Sequence, residues 1–435
     1  MKKYFFASLF LMVVLVSCNT RPKVTLYKDE ELSVVLNDVL NNTLAHDGFP
    51  PPVASRIYAY ANIAAYEGVR FGHMEHPSFI NKLKGFGSYE DKGTEASMID
   101  NRVIMTNAFC EVAKKLVYRA NYLDTIQKKL LANYKDIIGE DKFKYSMEQS
   151  VKVIDAISAR IKADNYAKTR NMPKYVPGST DADWQPTGPT FGDAIEPYWG
   201  TIMPFVMDTL LQVDSFITFD KNKGSACYNE AYEVYEIKNG VGTEQKLIAD
   251  FWDCNPQKTN IRGHIMYKTR QLNPGGHWVC ICGTLCKQEK LDMISTARVH
   301  AKMTMAVADG FINCWSEKYR LKFIRPETYI QRYIDKAWQP LLETPLFPEY
   351  PSGHGVISGA ASAVLIYELK KDNINFIDSA EVPFDRQPRN FTSISAAAEE
   401  AAVSRMYGGI HYRSSCNSAL RLGRKVADKV NATFN

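Results

Sequence analysis

The sequence predicts an all-α protein, a bundle in which an N-terminal helical half packs on a C-terminal helical half that carries the polar motifs. Apolar residues recur at steps of three and four along most of the chain, and runs of strict alternation are few. No internal repeat or low-complexity tract breaks the pattern. Hydrophobic residues make up 45% and charged residues 23%, values of a globular chain, so no dominant disordered region is expected.

The elements follow in chain order. Lys2 and Lys3 precede an apolar run from Tyr4 to Val16, then Ser17 and Cys18. A basic start, a short apolar core and a small residue before the cut describe a secretory signal. The run is shorter than the roughly 20 residues a bilayer span needs. Leu15-Val16-Ser17-Cys18 resembles a bacterial lipobox, which implies a lipidated Cys18. The expected organisation is a signal peptide over 1–17, a lipidated Cys and tether over 18–35, an N-terminal helical region over 36–205 and a C-terminal domain over 206–435. The expected location is the cell envelope, on the outer membrane facing the periplasm, with the membrane reached only through the lipid.

Pro51-Pro52 is placed to open a helix, with Val53, Ile57, Ala61 and Ala64 as its stripe. Further stripes run through Ile99, Val103, Phe109, Val112 and Leu116, over about 122–138, and over about 141–167 with Val151, Ile154, Ile157 and Ile161. Residues 171–204 hold six prolines and several glycines and read as an irregular connection. Helices are expected again over 295–318, 354–369, 395–406 and 419–430.

The net charge is +5, and loss of Lys2 and Lys3 leaves +3. That balance excludes a nucleic-acid partner but not a local anion site. Besides Cys18 there are Cys110, Cys227, Cys254, Cys280, Cys282, Cys286, Cys314 and Cys416. The 280–286 cluster lacks zinc spacing and a second pair, so these read as buried or partly paired thiols. His264, His277 and His300 belong to no motif and read as structural or surface residues.

Three blocks carry chemistry. Lys318 and Arg325 are two helical turns apart, so both cations can face one anion, and Pro326 follows. Ser352-Gly353-His354 leads into a helix rich in small residues. The Gly353 amide and Ser352 hydroxyl can donate to an anion there, with His354 beside it as a proton carrier. Arg405 is followed by Gly408-Gly409, which lets the chain turn and bring His411 towards the same place.

Together these blocks read Lys-x6-Arg-Pro, Pro-Ser-Gly-His and Ser-Arg-x5-His, in that order. This resembles the signature of the vanadium-dependent haloperoxidase and type 2 phosphatidic acid phosphatase (PAP2) superfamily. The resemblance implies that Lys318, Arg325 and Arg405 neutralise a tetrahedral oxyanion, which Ser352 and Gly353 hydrogen-bond. In the haloperoxidase branch His411 is implied as the axial ligand of vanadate and His354 as the acid–base group, with hydrogen peroxide and halide as substrates. In the phosphatase branch His411 attacks the phosphorus of a phosphate ester, His354 protonates the leaving group, and no cofactor is needed.

The stretch from Thr344 to Tyr350 and the long N-terminal half resemble the haloperoxidase side. Phe347 falls where chloroperoxidases carry an aromatic residue, and Trp315 resembles a residue lining the vanadate pocket. Asp253 is the expected carboxylate partner of Arg405. A non-catalytic oxyanion-binding lipoprotein is the third reading, and the intact His354 argues against it, since binding alone needs no proton donor.

Overall fold

The computed structural model describes residues 25–435 apart from 72, 74, 88–93, 257, 263 and 269. The expected signal peptide and Cys18 therefore lie outside the described residues. Helix α1 (Leu32–Asp47) buries Leu32, Leu36, Leu40 and Leu44, one residue per turn, and stops at Gly48, whose φ of 66° suits a residue without a side chain. Leu32 and Val34 are buried, so the folded body reaches back into the segment read as tether.

Helix α2 (Pro51–Arg70) opens on its two prolines and is buried almost throughout. The Asp100 side chain accepts from the Arg102 amide to cap α3 (Asn101–Lys114). Helices α4 (Asn121–Ile138) and α5 (Glu140–Ala163) complete this half. The apolar face of α5 runs through Val153, Ile154 and Ile157, whereas Val151, placed in that stripe by the sequence, is 48% exposed. The expected helix over 141–167 is also broken. Asn165 takes a φ of 72°, and a single turn, α6 (Tyr166–Thr169), follows.

Residues 170–225 form the irregular connection, with only a short 3-10 turn at Trp199–Thr201. Then come α7 (Ala226–Gly240) and α8 (Thr243–Phe251), a small antiparallel hairpin of β1 (Thr259–Arg262) with β2 (Ile265–Lys268), and α9 (Pro274–Gln288). The long helix α10 (Met293–Leu321) and the short α11 (Pro326–Tyr333) precede α12 (Gly353–Leu369). A second hairpin of β3 (Phe376–Asp378) with β4 (Arg389–Phe391) leads to α13 (Ile394–Tyr407) and α14 (Arg413–Thr433). Among the described residues no helix is long and apolar enough to cross a membrane.

Helix α10 is the spine. It packs on α2 from the first half and on α12 and α14 from the second, and one apolar core runs through both halves. Its polar residues tie down the irregular connection. Asp309 accepts the amides of Phe205 and Val206 at 2.7 and 2.9 Å. Asn313 both accepts from the Leu211 amide and donates to the Leu211 carbonyl, each at 2.7 Å. Glu317 accepts from the Val213 amide at 3.0 Å. The spacing of four residues puts all three on one stripe, so the connection lies along the helix with its backbone groups satisfied.

Helices α12 and α14 approach closely through glycine. A Cβ on Gly423 would sit 2.0 Å from the Val356 carbonyl oxygen, and one on Gly359 would sit 2.4 Å from that of Leu420. Helix α12 begins with the motif Gly353-His354, so this contact sets where the motif lies. Gly423→Ala is expected to destabilise the protein by about 1–3 kcal/mol through overpacking. Gly240→Ala, with nothing within 4 Å, is expected to be neutral or slightly stabilising. Thermal melts of the two variants check this, and equal melting temperatures would refute it.

Candidate active site

The three motif blocks reach the site from the end of α10, the N-terminus of α12 and the turn between α13 and α14. Lys318 lies in the last turn of α10 and is fully buried. Its Nζ donates to the carbonyls of Pro348 and Glu349 at 2.9 and 2.8 Å. Arg325 is the N-cap of α11, and Pro326 occupies the first helical position behind it. Its Nε donates to the Phe347 carbonyl at 3.0 Å and its Nη1 to the Ile410 carbonyl at 2.9 Å. Arg405, near the end of α13, donates from Nη1 to the Trp252 carbonyl at 2.8 Å. Its Nη2 lies 3.7 Å from Asp253, the partner the sequence suggested.

His411 follows the Gly408-Gly409 turn and is buried. Its Nδ1 lies 2.6 Å from Glu349 Oε1. Donation to that carboxylate leaves Nε2 unprotonated, and its lone pair accepts from Arg325 Nη1 at 3.2 Å. Glu349 Oε1 also accepts from the Tyr412 amide at 3.1 Å. Ser352 is the N-cap of α12, its Oγ accepting from the Gly355 amide at 3.4 Å. Gly353 and His354 start the helix, where the first amides have no carbonyl of their own helix to bond. A cavity of about 290 Å³ opens beside them, lined by Gly353, His354, Arg405, His411, Trp315 and Phe347, among other residues. Phe347 packs its ring 4.9 Å from that of Trp315 and 5.0 Å from Lys318 Nζ. The two aromatic residues thus wall the cationic side of the cavity.

The electrostatics are those of a site waiting for an anion. Burial lowers Lys318 to about 7, with Arg325 adding to the drop, and lowers Arg325 to about 10, with Arg405 adding to it. Burial also lowers Arg405. His411 is held well below the usual imidazole range by burial, then by Arg325, Lys318 and Arg405. His354 is lowered in the same way by burial and by Arg405. Glu349 is raised to about 7 by burial, against the pull of Arg325 and Lys318.

Two buried donors here have no partner, Arg325 Nη2 and Arg405 Nε, and His354 Nε2 and Glu349 Oε2 are unpartnered beside them. Leaving such groups unpaired costs about 1–3 kcal/mol each, more when charged. A tetrahedral oxyanion at the cavity floor would accept from both arginine donors, so the residues present fit the group that the motif implies.

Two contributors escaped the sequence reading. Glu349 lay in the Thr344–Tyr350 run, but nothing in its spacing marks it as the carboxylate behind His411. The Trp252 carbonyl accepts from both Arg405 and His354, and a backbone atom leaves no residue-type signal. The cysteines outside the signal region are all free, and all but Cys280 are buried.

With this geometry established, comparison with known proteins is informative. The profile of the VCPO second helical-bundle domain matches residues 298–435, which contain all three blocks. The crystal structure described as that of the first bacterial vanadium-dependent iodoperoxidase is 37% identical, with a TM-score of 0.85, and the match covers 93% of this chain and 97% of that one. Bacterial vanadium-dependent chloroperoxidase in holo and apo forms matches at 13% and 14% identity with TM-scores of 0.59 and 0.62. Each match covers 95% of this chain, with 94% and 95% of the other chain, and shows a shared fold. A search of curated proteins finds no match. The chain is a helical-bundle enzyme, and it belongs to the vanadium-dependent haloperoxidase family within the larger superfamily shared with the PAP2 phosphatases.

Lys318 generates a prediction. Its lowered pKa means that the empty site loses a positive charge as pH rises through about 7. Affinity for sulfate, a dianion of fixed charge, is therefore expected to fall up to about tenfold per pH unit above 7. Lys318→Met should bind sulfate more weakly and flatten this slope. Calorimetric titrations between pH 6 and 8.5 check it, and an unchanged slope in the variant would contradict the assignment.

Proposed function

We propose that this chain is a vanadate-dependent haloperoxidase that oxidises iodide with hydrogen peroxide, with His411 as the vanadate ligand. The observation that carries the reading is the set of unpaired buried donors around the His411 Nε2 lone pair, inside a cradle of three cations. Bound vanadate would supply the Lewis-acid centre at which peroxide is activated towards halide.

The chain's own residues do the rest. Lys318, Arg325 and Arg405 neutralise the oxyanion, and the Gly353 amide and Ser352 hydroxyl donate to it. Glu349 accepts the Nδ1 proton of His411, which fixes the ring and raises the basicity of Nε2. His354 is neutral in the empty site and presents an unpaired Nε2 to the cavity. It can take a proton from incoming peroxide and return it to a departing oxygen. Trp315, Phe347 and Phe311 give the cavity an apolar wall. Such a wall suits iodide, because a large, weakly hydrated anion loses least on leaving water. The 37% identical relative is an iodoperoxidase, which supports the same choice.

The test is to load the protein with vanadate and measure peroxide-dependent oxidation of iodide, bromide and chloride, alongside hydrolysis of a phosphate monoester. Iodide oxidation should exceed the other activities, and hydrolysis without halide oxidation would overturn the proposal. His411→Ala is expected to lose at least about a hundredfold in activity. Glu349→Gln should weaken vanadate affinity by roughly 10–100-fold, the usual effect of losing the partner behind a ligating histidine. Equilibrium dialysis of vanadate checks the second figure, and unchanged affinity would remove Glu349 from the site.

A further inference from the structure

Outside the three motif blocks a second group of ligating side chains is gathered, one of which, Cys254, lines the same cavity. Cys254 follows α8, His277 lies in the first turn of α9, and Glu381 lies between β3 and β4. All three are buried, with 1% exposure or less. Cys254 Sγ is 3.2 Å from His277 Nδ1 and 3.6 Å from Glu381 Oε1, and His277 Nδ1 is 3.5 Å from Glu381 Oε1. We propose that Cys254, His277 and Glu381 form a zinc-class metal site, separate from the anion cradle and bordering its cavity.

The geometry carries this. Zinc bonds sulfur at about 2.3 Å and nitrogen or oxygen at about 2.0–2.2 Å, so the ligand atoms of a tetrahedron stand about 3.3–3.6 Å apart. The S···O and N···O separations, 3.6 and 3.5 Å, match their pairs, and the S···N pair at 3.2 Å would open by about 0.3 Å to admit the ion. The supporting groups are those of a ligand set. His277 Nε2 lies 2.7 Å from Asp378 Oδ2 and can keep donating there while a metal takes the place of the proton on Nδ1, which faces Cys254 and Glu381. The second oxygen of Glu381 accepts from Arg386 Nη1 at 3.0 Å. Trp252 stacks on the His277 ring at 4.5 Å and fixes its plane.

The local charge is negative as well: a Cys254 thiolate, Glu381, Asp378 and the exposed Asp250 stand against the single cation Arg386, an excess that a divalent ion would offset. Thiolate, imidazole and carboxylate together favour zinc over magnesium or calcium. Cys254 lines the cavity, which gives the ion a route in. The three ligands come from three separate segments, so the ion would lock residues 252–254 to α9 and to the β3–β4 connection. Trp252 and Asp253 in that segment hold Arg405, so the metal acts on the cradle as a positioning element. The inference does not depend on the halide chemistry.

The test uses the full chain without a polyhistidine tag, stripped by chelator and kept free of vanadate. Titration with cobalt(II) should saturate at about one ion per chain, with visible bands of tetrahedral strength and a near-ultraviolet thiolate charge-transfer band. Added zinc should displace the cobalt. Cys254→Ser should abolish the charge-transfer band, and Glu381→Gln should keep it while weakening cobalt roughly 10–100-fold. Cys282 and Cys286, whose sulfurs lie 4.0 Å apart in α9, serve as the control, and serine at both should leave the spectrum unchanged. Failure of the unmodified chain to take up cobalt or zinc overturns the proposal without reference to any variant. So does a charge-transfer band that survives in Cys254→Ser and disappears in the double control.

Discussion

Three cations, Lys318, Arg325 and Arg405, are buried within one region of an apolar interior, and much of the surrounding structure answers that constraint. An uncompensated buried charge costs several kcal/mol. The chain compensates mainly with backbone carbonyls, those of Phe347, Pro348, Glu349, Ile410 and Trp252. A carbonyl can point at a side chain only where it is not committed to a helix. This is why the site is ringed by irregular segments held between long helices. Two carboxylates, Glu349 and Asp253, stand against three cations, so the region keeps a positive excess that only an anion would complete.

Such segments hold their shape only against something rigid. Helix α10 supplies it with different residues on different faces. Asp309, Asn313 and Glu317 bind the connection at 205–213, Met305 and Ile312 face the core, and Trp315 and Lys318 face the site. A single helix thus sets the distance between the irregular connection and the cradle. The glycine contacts between α12 and α14 do the same for Gly353 and His354, since backbone packed on backbone leaves little room to slide.

How much of this the sequence disclosed follows from what each feature is made of. The cradle was legible because oxyanion chemistry demands particular residue types, and because each block is short enough for spacing to carry geometry. The structure brings Arg325, Lys318, Arg405 and His354 within electrostatic reach of His411. Partners that meet across distant segments left no such trace. Glu349 reaches His411 across 62 residues, and the Trp252 carbonyl is reached from Arg405 across 153. The helices were read best where the apolar stripe is wide. Helix α7 buries few apolar side chains, among them Cys227, Ala231 and Val234, and α9 begins with a Gly-Gly pair that imitates a breaker. That pair serves packing instead, since a Cβ on Gly276 would meet Tyr58 and Asn41. Val151 was misplaced because Val153, two residues on, competes for the same stripe and takes the buried side.

Residues 252–254 show how such distant contacts become one device. The Trp252 carbonyl accepts from Arg405 and from His354, Asp253 lies against Arg405, and Cys254 faces His277. His354 and Arg405 therefore share a single acceptor. Any shift of that carbonyl would move both groups together, preserving the distance between the guanidinium and the imidazole. A segment carrying that duty needs anchoring from its other side. The buried set of Cys254, His277, Asp378 and Glu381 lies there, linking the segment to α9 and to the β3–β4 connection. The cradle is thus held by α10 and α12 on one flank and by this polar cluster on the other, and its precision depends on both.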